Sequence, residues 1–213
     1  MTNKNREITH SPDVPVRAKP GRKGLVRSQV LDAARGLCGA NGIEHLSIKE
    51  LAERLGIRPP SVYAHFQGLG EIRRELALWG HRALAERLKE CAIGLSGPDA
   101  LLALGHAYLA FIRQEPGLYS ATVATPARDD QELHAAADDW IGVFFTVLRT
   151  FNLSPDDTVH AIRGVRSIVH GFGSLEAHGA FITALDRDAS FDKMLHSFVQ
   201  SIAEQQAAGR KRR

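Results

Sequence analysis

The chain has 213 residues, 44% of them hydrophobic and 24% charged, enough for one or two buried cores. That balance excludes a disordered or low-complexity chain, and no apolar run reaches the ~18 residues a membrane span needs. The formal net charge is only +3, but it is unevenly spread. Residues 1–75 carry 13 Lys/Arg against 8 Asp/Glu, residues 76–209 carry 10 against 16, and the chain closes on Arg210-Lys211-Arg212-Arg213. A basic first third on an acidic remainder predicts that one end meets a polyanion.

The opening MTNKNREITH has no apolar core of the kind a secretory signal needs. Cys38 and Cys91 make no disulfide framework and fit a cytoplasmic protein with reduced thiols. Residues 1–24 read as a disordered basic arm, rich in Pro, Lys and Arg and without an apolar stripe.

From Arg27 the pattern turns helical. Val30, Leu31, Ala34, Leu37 and Cys38 share one helix face, and Asn41-Gly42 closes it. Ser47 opens a second, short helix, with Glu50 three residues on as its capping-box partner. Ile48, Leu51, Ala52 and Leu55 are its buried stripe, and Gly56 ends it. A third short helix is predicted over residues 60–66. Proline suits a helix's first turn, and the residue before a proline is pushed out of the helical region. Pro59 is therefore expected outside the helix and Pro60 at its first position. A proline-rich ligand or plain linker is the alternative for this stretch, although no PxxP spacing occurs.

A long helix is predicted from about residue 70 to 93. Further helices are predicted over 97–114, 115–123, 129–151, 154–180 and 190–205. Ser154-Pro155-Asp156-Asp157 is the strongest of their start signals. No alternating strand pattern and no fixed-period repeat occurs, so the expected fold is all-α with about nine helices.

Two short helices joined near a glycine fit a helix-turn-helix. The run RSQVLDAARGLCGANGIEHLSIKELAERLGIRPPSVYAHFQGLGEIRREL resembles the DNA-binding domain of the tetracycline-repressor (TetR/AcrR) family. Its marks are Leu31-Asp32-Ala33-Ala34, Gly42, Leu46-Ser47, Leu51-Ala52, Gly56-Ile57, Ser61, Tyr63 and His65-Phe66. Ser167 to Glu176 is similar to the C-terminal domain of a branch named for a Trp-His-Gly signature. Here Ile168-Val169 precede His170-Gly171, so the tryptophan is missing.

The resemblance implies a homodimeric transcriptional regulator, most often a repressor released from a palindromic operator by a small effector. It divides the chain into an arm (1–24), a three-helix DNA reader (25–70), an effector-binding and dimerisation domain (71–207) and a basic tail (208–213). It places the second short helix in the major groove, with Arg58, Pro59, Ser61, Val62, Tyr63 and His65 at or near DNA and Ser47 capping beside a phosphate. A core role is the alternative for Tyr63. Family members often carry a phosphate-gripping lysine where this chain has Leu69. That contact is expected to be lost or taken by Arg73 or Arg74. Residues 60–66 contain no Arg, Lys, Asn or Gln, so base reading shifts to Arg58. It shifts also to the arm, where Arg17, Lys19, Arg22, Lys23 and Arg27 could follow phosphates. The alternative for the arm is an inert leader.

For the effector site, polar residues set among apolar ones are the informative candidates. They are His106, Tyr108, Trp140, Arg166 and His170, with Phe144 in the wall. The implied ligand is small and largely apolar, with a polar end. Each residue's alternative is an ordinary core or surface role. The glycines Gly164, Gly171, Gly173 and Gly179, with Phe191, Met194, Leu195, Phe198, Val199 and Ile202, suggest a dimer interface through the last two helices.

Three other readings stay open. His160, His170, His178 and His196 could meet across helices as a metal site, but no HExxH or Cys/His ligand spacing occurs. No phosphate loop, dinucleotide fingerprint or nucleophile elbow supports an enzyme, and no cofactor is implied. A DNA-binding protein with no small-molecule switch is the third.

Overall fold

In the computed structural model, residues 26–124 and 126–211 are described, leaving aside the side chains of 40, 41 and 205–211. Among the described residues there are nine α-helices and no strand. They are α1 (Arg27–Asn41), α2 (Ile48–Leu55), α3 (Pro59–Tyr63), α4 (Leu69–Ala92), α5 (Gly97–Gln114), α6 (Pro116–Thr122), α7 (Gln131–Leu148), α8 (Pro155–Ala177) and α9 (Arg187–Lys211). None is long and apolar enough to cross a membrane.

The expected starts and stops hold where side-chain chemistry drives them. The Ser47 hydroxyl accepts the Glu50 amide at 3.2 Å, and Ser154 accepts the Asp157 amide at 3.1 Å. Each satisfies an orphan N–H of a first turn. Glu50 closes the box differently from the motif: its carboxylate accepts the Ser47 hydroxyl proton at 2.8 Å. Gly56 ends α2 in the left-handed region at φ 65°, where a Cβ would be strained.

Four expectations are corrected. Pro59, not Pro60, is the first residue of α3: Arg58 is the extended N-cap, and both prolines sit in the first turn. Their missing N–H groups are orphans there, so the helix absorbs two prolines as readily as one. α3 also stops at Tyr63 rather than residue 66. The segment predicted over 129–151 ends as a 3-10 turn, Arg149–Phe151. The last helix starts three residues early, because the Asp186 carboxylate accepts the Asp188 amide at 2.9 Å and caps it.

α1, α2 and α3 form a head around Val30, Ala34, Leu51, Val62 and Phe66, all buried. α4 packs on α1, α5, α6 and α7, so it belongs to the head and the body alike. In the body, α5 packs on α7, α8 and α9. The apolar stripe of α9 is spent inside one chain: Phe191, Leu195, Val199 and Ile202 are buried. Gly164 takes the ring of Phe198, and Gly173 the side chain of Ile112. These residues are thus monomer core, not the exposed interface the sequence suggested. Leu175 and Met194 are the large apolar side chains that α8 and α9 leave exposed.

Candidate functional site

The head presents a compact polar face. Arg58, Pro59, Pro60 and Tyr63 are exposed, and Ser61 and His65 are half-buried. Tyr63 is 56% exposed, so the core role is excluded and its phenol is free to meet a polyanion. Val62 is 0% exposed. The structure therefore contradicts its place at the DNA surface: on so short a helix one side chain must anchor the face, and Val62 does. The Ser47 hydroxyl is engaged at the start of α2. Arg22 and Lys23 lie outside the described residues.

The proposed stand-ins for the missing lysine are spoken for. Arg74 binds the Asp130 carboxylate at 2.6 and 2.8 Å and Glu132 at 2.8 Å. Arg73 donates to the Glu44 carbonyl at 3.0 Å. Arg27 is likewise held by the head. Its guanidinium lies 4.1 Å from the Phe66 ring centroid, donates to Glu71 at 2.9 Å and Glu75 at 3.2 Å, and also donates to the His65 carbonyl. Lys49, Arg54 and Arg58 are exposed and hold no ion pair among the described residues. Lys49 sits in the first turn of α2, two residues past Ser47. Charge counting alone could not distinguish it from the other lysines.

A second polar group forms inside the body, where five helices converge. Tyr108 of α5 meets Trp140 of α7 edge-on, ring centroids 5.7 Å apart, and Tyr119 of α6 at 5.9 Å. The Tyr119 hydroxyl lies 2.6 Å from His170 Nδ1 on α8. One turn before His170, the Arg166 guanidinium stands 5.5 Å from the Trp140 ring centroid. Trp140 Nε1 donates to His81 Nδ1 on α4 at 3.1 Å. Phe144 packs edge-on against Trp140, centroids 6.2 Å apart. His81, Tyr108, Trp140 and Phe144 are buried; Arg166 and His170 are exposed.

So the structure brings together five of the six predicted effector residues. It does not bring in His106, which is exposed on α5 and joins α9: its Nε2 lies 3.2 Å from Asp192 and its ring stands against Phe191. It adds Tyr119 and His81, which sequence reasoning missed. A lone Tyr in a short helix and a lone His on an apolar face carry no signal of their own.

Burial sets the protonation states. Burial, then the Arg166 charge, pulls His81 down to about 4. Since Nδ1 accepts the indole proton, the neutral ring carries its own proton on Nε2. That Nε2–H is buried with no partner. Burial raises the Tyr108 and Tyr119 phenols above their ordinary value, so both keep their protons. No group of three or more His, Cys, Asp or Glu among the described residues could hold a metal ion.

α6 joins the two regions. Gly117 lies against the Arg35 carbonyl of α1, so close that a Cβ would overlap it, and 3.0 Å from the Gly39 amide by the same measure. On its other side, a Cβ at Gly80 of α4 would sit 2.7 Å from the Leu118 carbonyl and Thr122 Cγ2. Backbone thus packs on backbone from the Tyr119 helix to both α1 and α4.

Residues 30–76 match the family model described as bacterial regulatory proteins, tetR family, and residues 101–198 match the tetracyclin repressor-like C-terminal domain. The chain is 31% identical over 182 residues to the uncharacterized HTH-type transcriptional regulator YobS of Bacillus subtilis, covering 85% of this chain and 94% of that one. An uncharacterized HTH-type transcriptional regulator of Mycobacterium tuberculosis is 30% identical over 84% of this chain and 81% of its own. In solved structures, the same fold occurs in a TetR variant from Acinetobacter baumannii in complex with minocycline, at 22% identity. Its TM-score is 0.62 over 85% of this chain and 98% of that one. It also occurs in the TetR family regulator PfmR from Thermus thermophilus, at 17% identity and TM-score 0.61 over 82% and 97%. With a helix-turn-helix head, an all-helical body and relatives at this identity over most of its length, the chain belongs to the tetR family of DNA-binding transcriptional regulators.

Proposed function

We propose that this regulator is a cytoplasmic homodimeric repressor that leaves a palindromic operator when a small, largely apolar effector enters the body. The observation that carries this reading is the double engagement of α6. One end of its chemistry, Tyr119, is hydrogen-bonded within the interior polar cluster. Its backbone, at Gly117 and Leu118, is wedged against α1 and α4. An effector that parts Tyr119 from His170 moves a helix with no slack toward the head, and so changes how the two heads of a dimer are spaced. The like-folded TetR variant with minocycline supports a small molecule as the trigger.

On DNA, Tyr63 and the unpaired Lys49 and Arg54 hold phosphates, and Arg58, N-cap of α3, reaches base edges. Ser61, His65 and the prolines complete the contact face. Arg22 and Lys23 of the arm add phosphate contacts next to it. The second copy pairs across α8 and α9, where Leu175 and Met194 are exposed. The test is a mobility shift on the palindromic DNA beside the gene, run with and without a panel of small aromatics. Specific retardation relieved by a panel member supports the reading; retardation that no compound relieves speaks for a regulator with no small-molecule switch.

A further inference from the structure

The interior cluster is unbalanced in one direction. None of His81, Tyr108, Tyr119, Trp140, Arg166 and His170 is acidic, and the cluster is rich in donors. Arg74, Arg82 and Arg113 each hold a carboxylate at 2.6 to 2.8 Å. Arg166 holds none among the described residues; its partners are the Trp140 ring and the Tyr108 phenol. A guanidinium can only donate. The Tyr119 and Tyr108 phenols stay protonated. Deeper in, the His81 Nε2–H is buried with no acceptor at all. An orphaned buried donor is rare enough in native proteins to need a cause.

The surroundings sharpen the imbalance. Residues 76–209 are acidic as a whole, 16 Asp/Glu against 10 Lys/Arg, yet this cluster holds an Arg and no carboxylate. Its apolar side is aromatic: Trp140 stands edge-on to both Tyr108 and Phe144. Arg166 and His170 are exposed and His81 is buried. A cationic ligand would be repelled by Arg166. A neutral apolar one would leave Arg166 without an anionic partner and the His81 Nε2–H without an acceptor.

We infer that the effector is an aryl carboxylate, its ring against Trp140, Tyr108 and Phe144, its anionic head pairing with Arg166, which holds no carboxylate, and supplying the acceptor that the His81 Nε2–H lacks. The inference rests on the effector reading above and narrows it to a chemical class. Charge-assisted bonds to a carboxylate are the strong kind, and Arg offers a fork that fits one.

The test is calorimetric titration of the full-length, DNA-free protein with a size ladder of benzoate, 2-naphthoate and biphenyl-4-carboxylate. Each is paired with its methyl ester and with the matching arylmethylammonium. At least one carboxylate is expected to bind about tenfold or more tightly than its ester, and the ammonium compounds not at all. Arg166→Gln, at an exposed position, should keep the wild-type circular dichroism spectrum, weaken that carboxylate about tenfold and leave the ester within about twofold. His81→Phe, which removes the orphan donor, should weaken it as well. Esters binding as tightly as the acids, an ammonium binding best, or no carboxylate binding at millimolar concentration each overturns the inference. The regulatory reading fails separately. If the carboxylate binds in the expected order but the protein stays on its DNA, the ligand class stands and the release model falls. If a neutral aromatic releases the DNA while the acids do not bind, the reverse holds.

Discussion

Gly117 of α6 rests on the carbonyl oxygen of Arg35 of α1 so closely that no side chain fits between them. That contact joins the DNA-reading head to the body without side chains that could yield. Gly117→Ala is expected to overpack it, at a cost of about 1–3 kcal/mol, and to change operator affinity or effector response together with stability. Gly142→Ala on α7 has nothing within 4 Å and should stabilise the helix by about 0.5–1 kcal/mol with no effect on DNA. Urea unfolding of both variants beside a mobility shift separates the two outcomes.

The head offers a sharper separation. Val62 is buried, whereas Arg58 and Tyr63 on the same short segment are exposed. Val62→Ala should cost about 2 kcal/mol of stability and, at a temperature where the protein is still folded, leave operator affinity nearly unchanged. Arg58→Ala and Tyr63→Ala should leave the melting temperature within a few degrees and weaken binding instead. For Arg58 about 1–3 kcal/mol is expected if it reads a guanine. For Tyr63 the loss should be uniform across DNA sequences. Melting curves and operator titrations on the three variants decide it.

His81 makes stability depend on pH. Burial and the Arg166 charge hold its folded-state value at about 4, below the ordinary value of about 6.5. Between these values the unfolded chain binds more protons than the folded one, so stability rises with pH. It is fully present above about 6.5 and is lost as pH falls toward 4, by about 2–3 kcal/mol for this one group. His81→Gln can keep the acceptor for Trp140 Nε1 and cannot titrate. Urea midpoints at fixed protein concentration from pH 7.5 to 4.5 should fall more steeply for the wild type than for the variant. Parallel curves would remove His81 from the account.

Arg27 and the arm before it should behave differently. Arg27 is tied to Phe66, Glu71 and Glu75, so Arg27→Ala should loosen the head, costing about 1 kcal/mol for a half-exposed network. Removing residues 1–24, with Arg22 and Lys23, should leave stability alone. It should weaken operator binding and flatten its salt dependence, since each lost phosphate contact lowers the slope by about 0.9. An unchanged slope marks the arm as an inert leader.

What the sequence made legible was local. Ser47, Gly56 and Ser154 act within a few residues of themselves, and the helices they bound lie where their chemistry puts them. Cap and periodicity could not say which side of α3 faces inward, because five residues offer too little period to read; hence Val62 was placed outside and proves to be core. The α9 stripe looked like an interface for the same reason: a sequence shows that a face is apolar, not whether its partner is the same chain. Arg27, Arg73 and Arg74 looked free because their carboxylate and carbonyl partners are distant in sequence, Asp130 being 56 residues from Arg74. Trp140, Arg166 and His170 were legible as candidates, but Tyr119 and His81 became visible only when α4 and α6 were brought beside α7 and α8.

Release by an effector requires that the Tyr119–His170 cluster and the head be coupled. The direct measurement is the dissociation constant for the palindromic DNA beside the gene, taken across a titration of whichever aryl carboxylate binds most tightly. Saturating ligand should weaken DNA binding by about tenfold or more, and DNA should weaken ligand binding by the same factor, as linkage requires. A DNA affinity that stays constant while the ligand site fills would contradict that coupling.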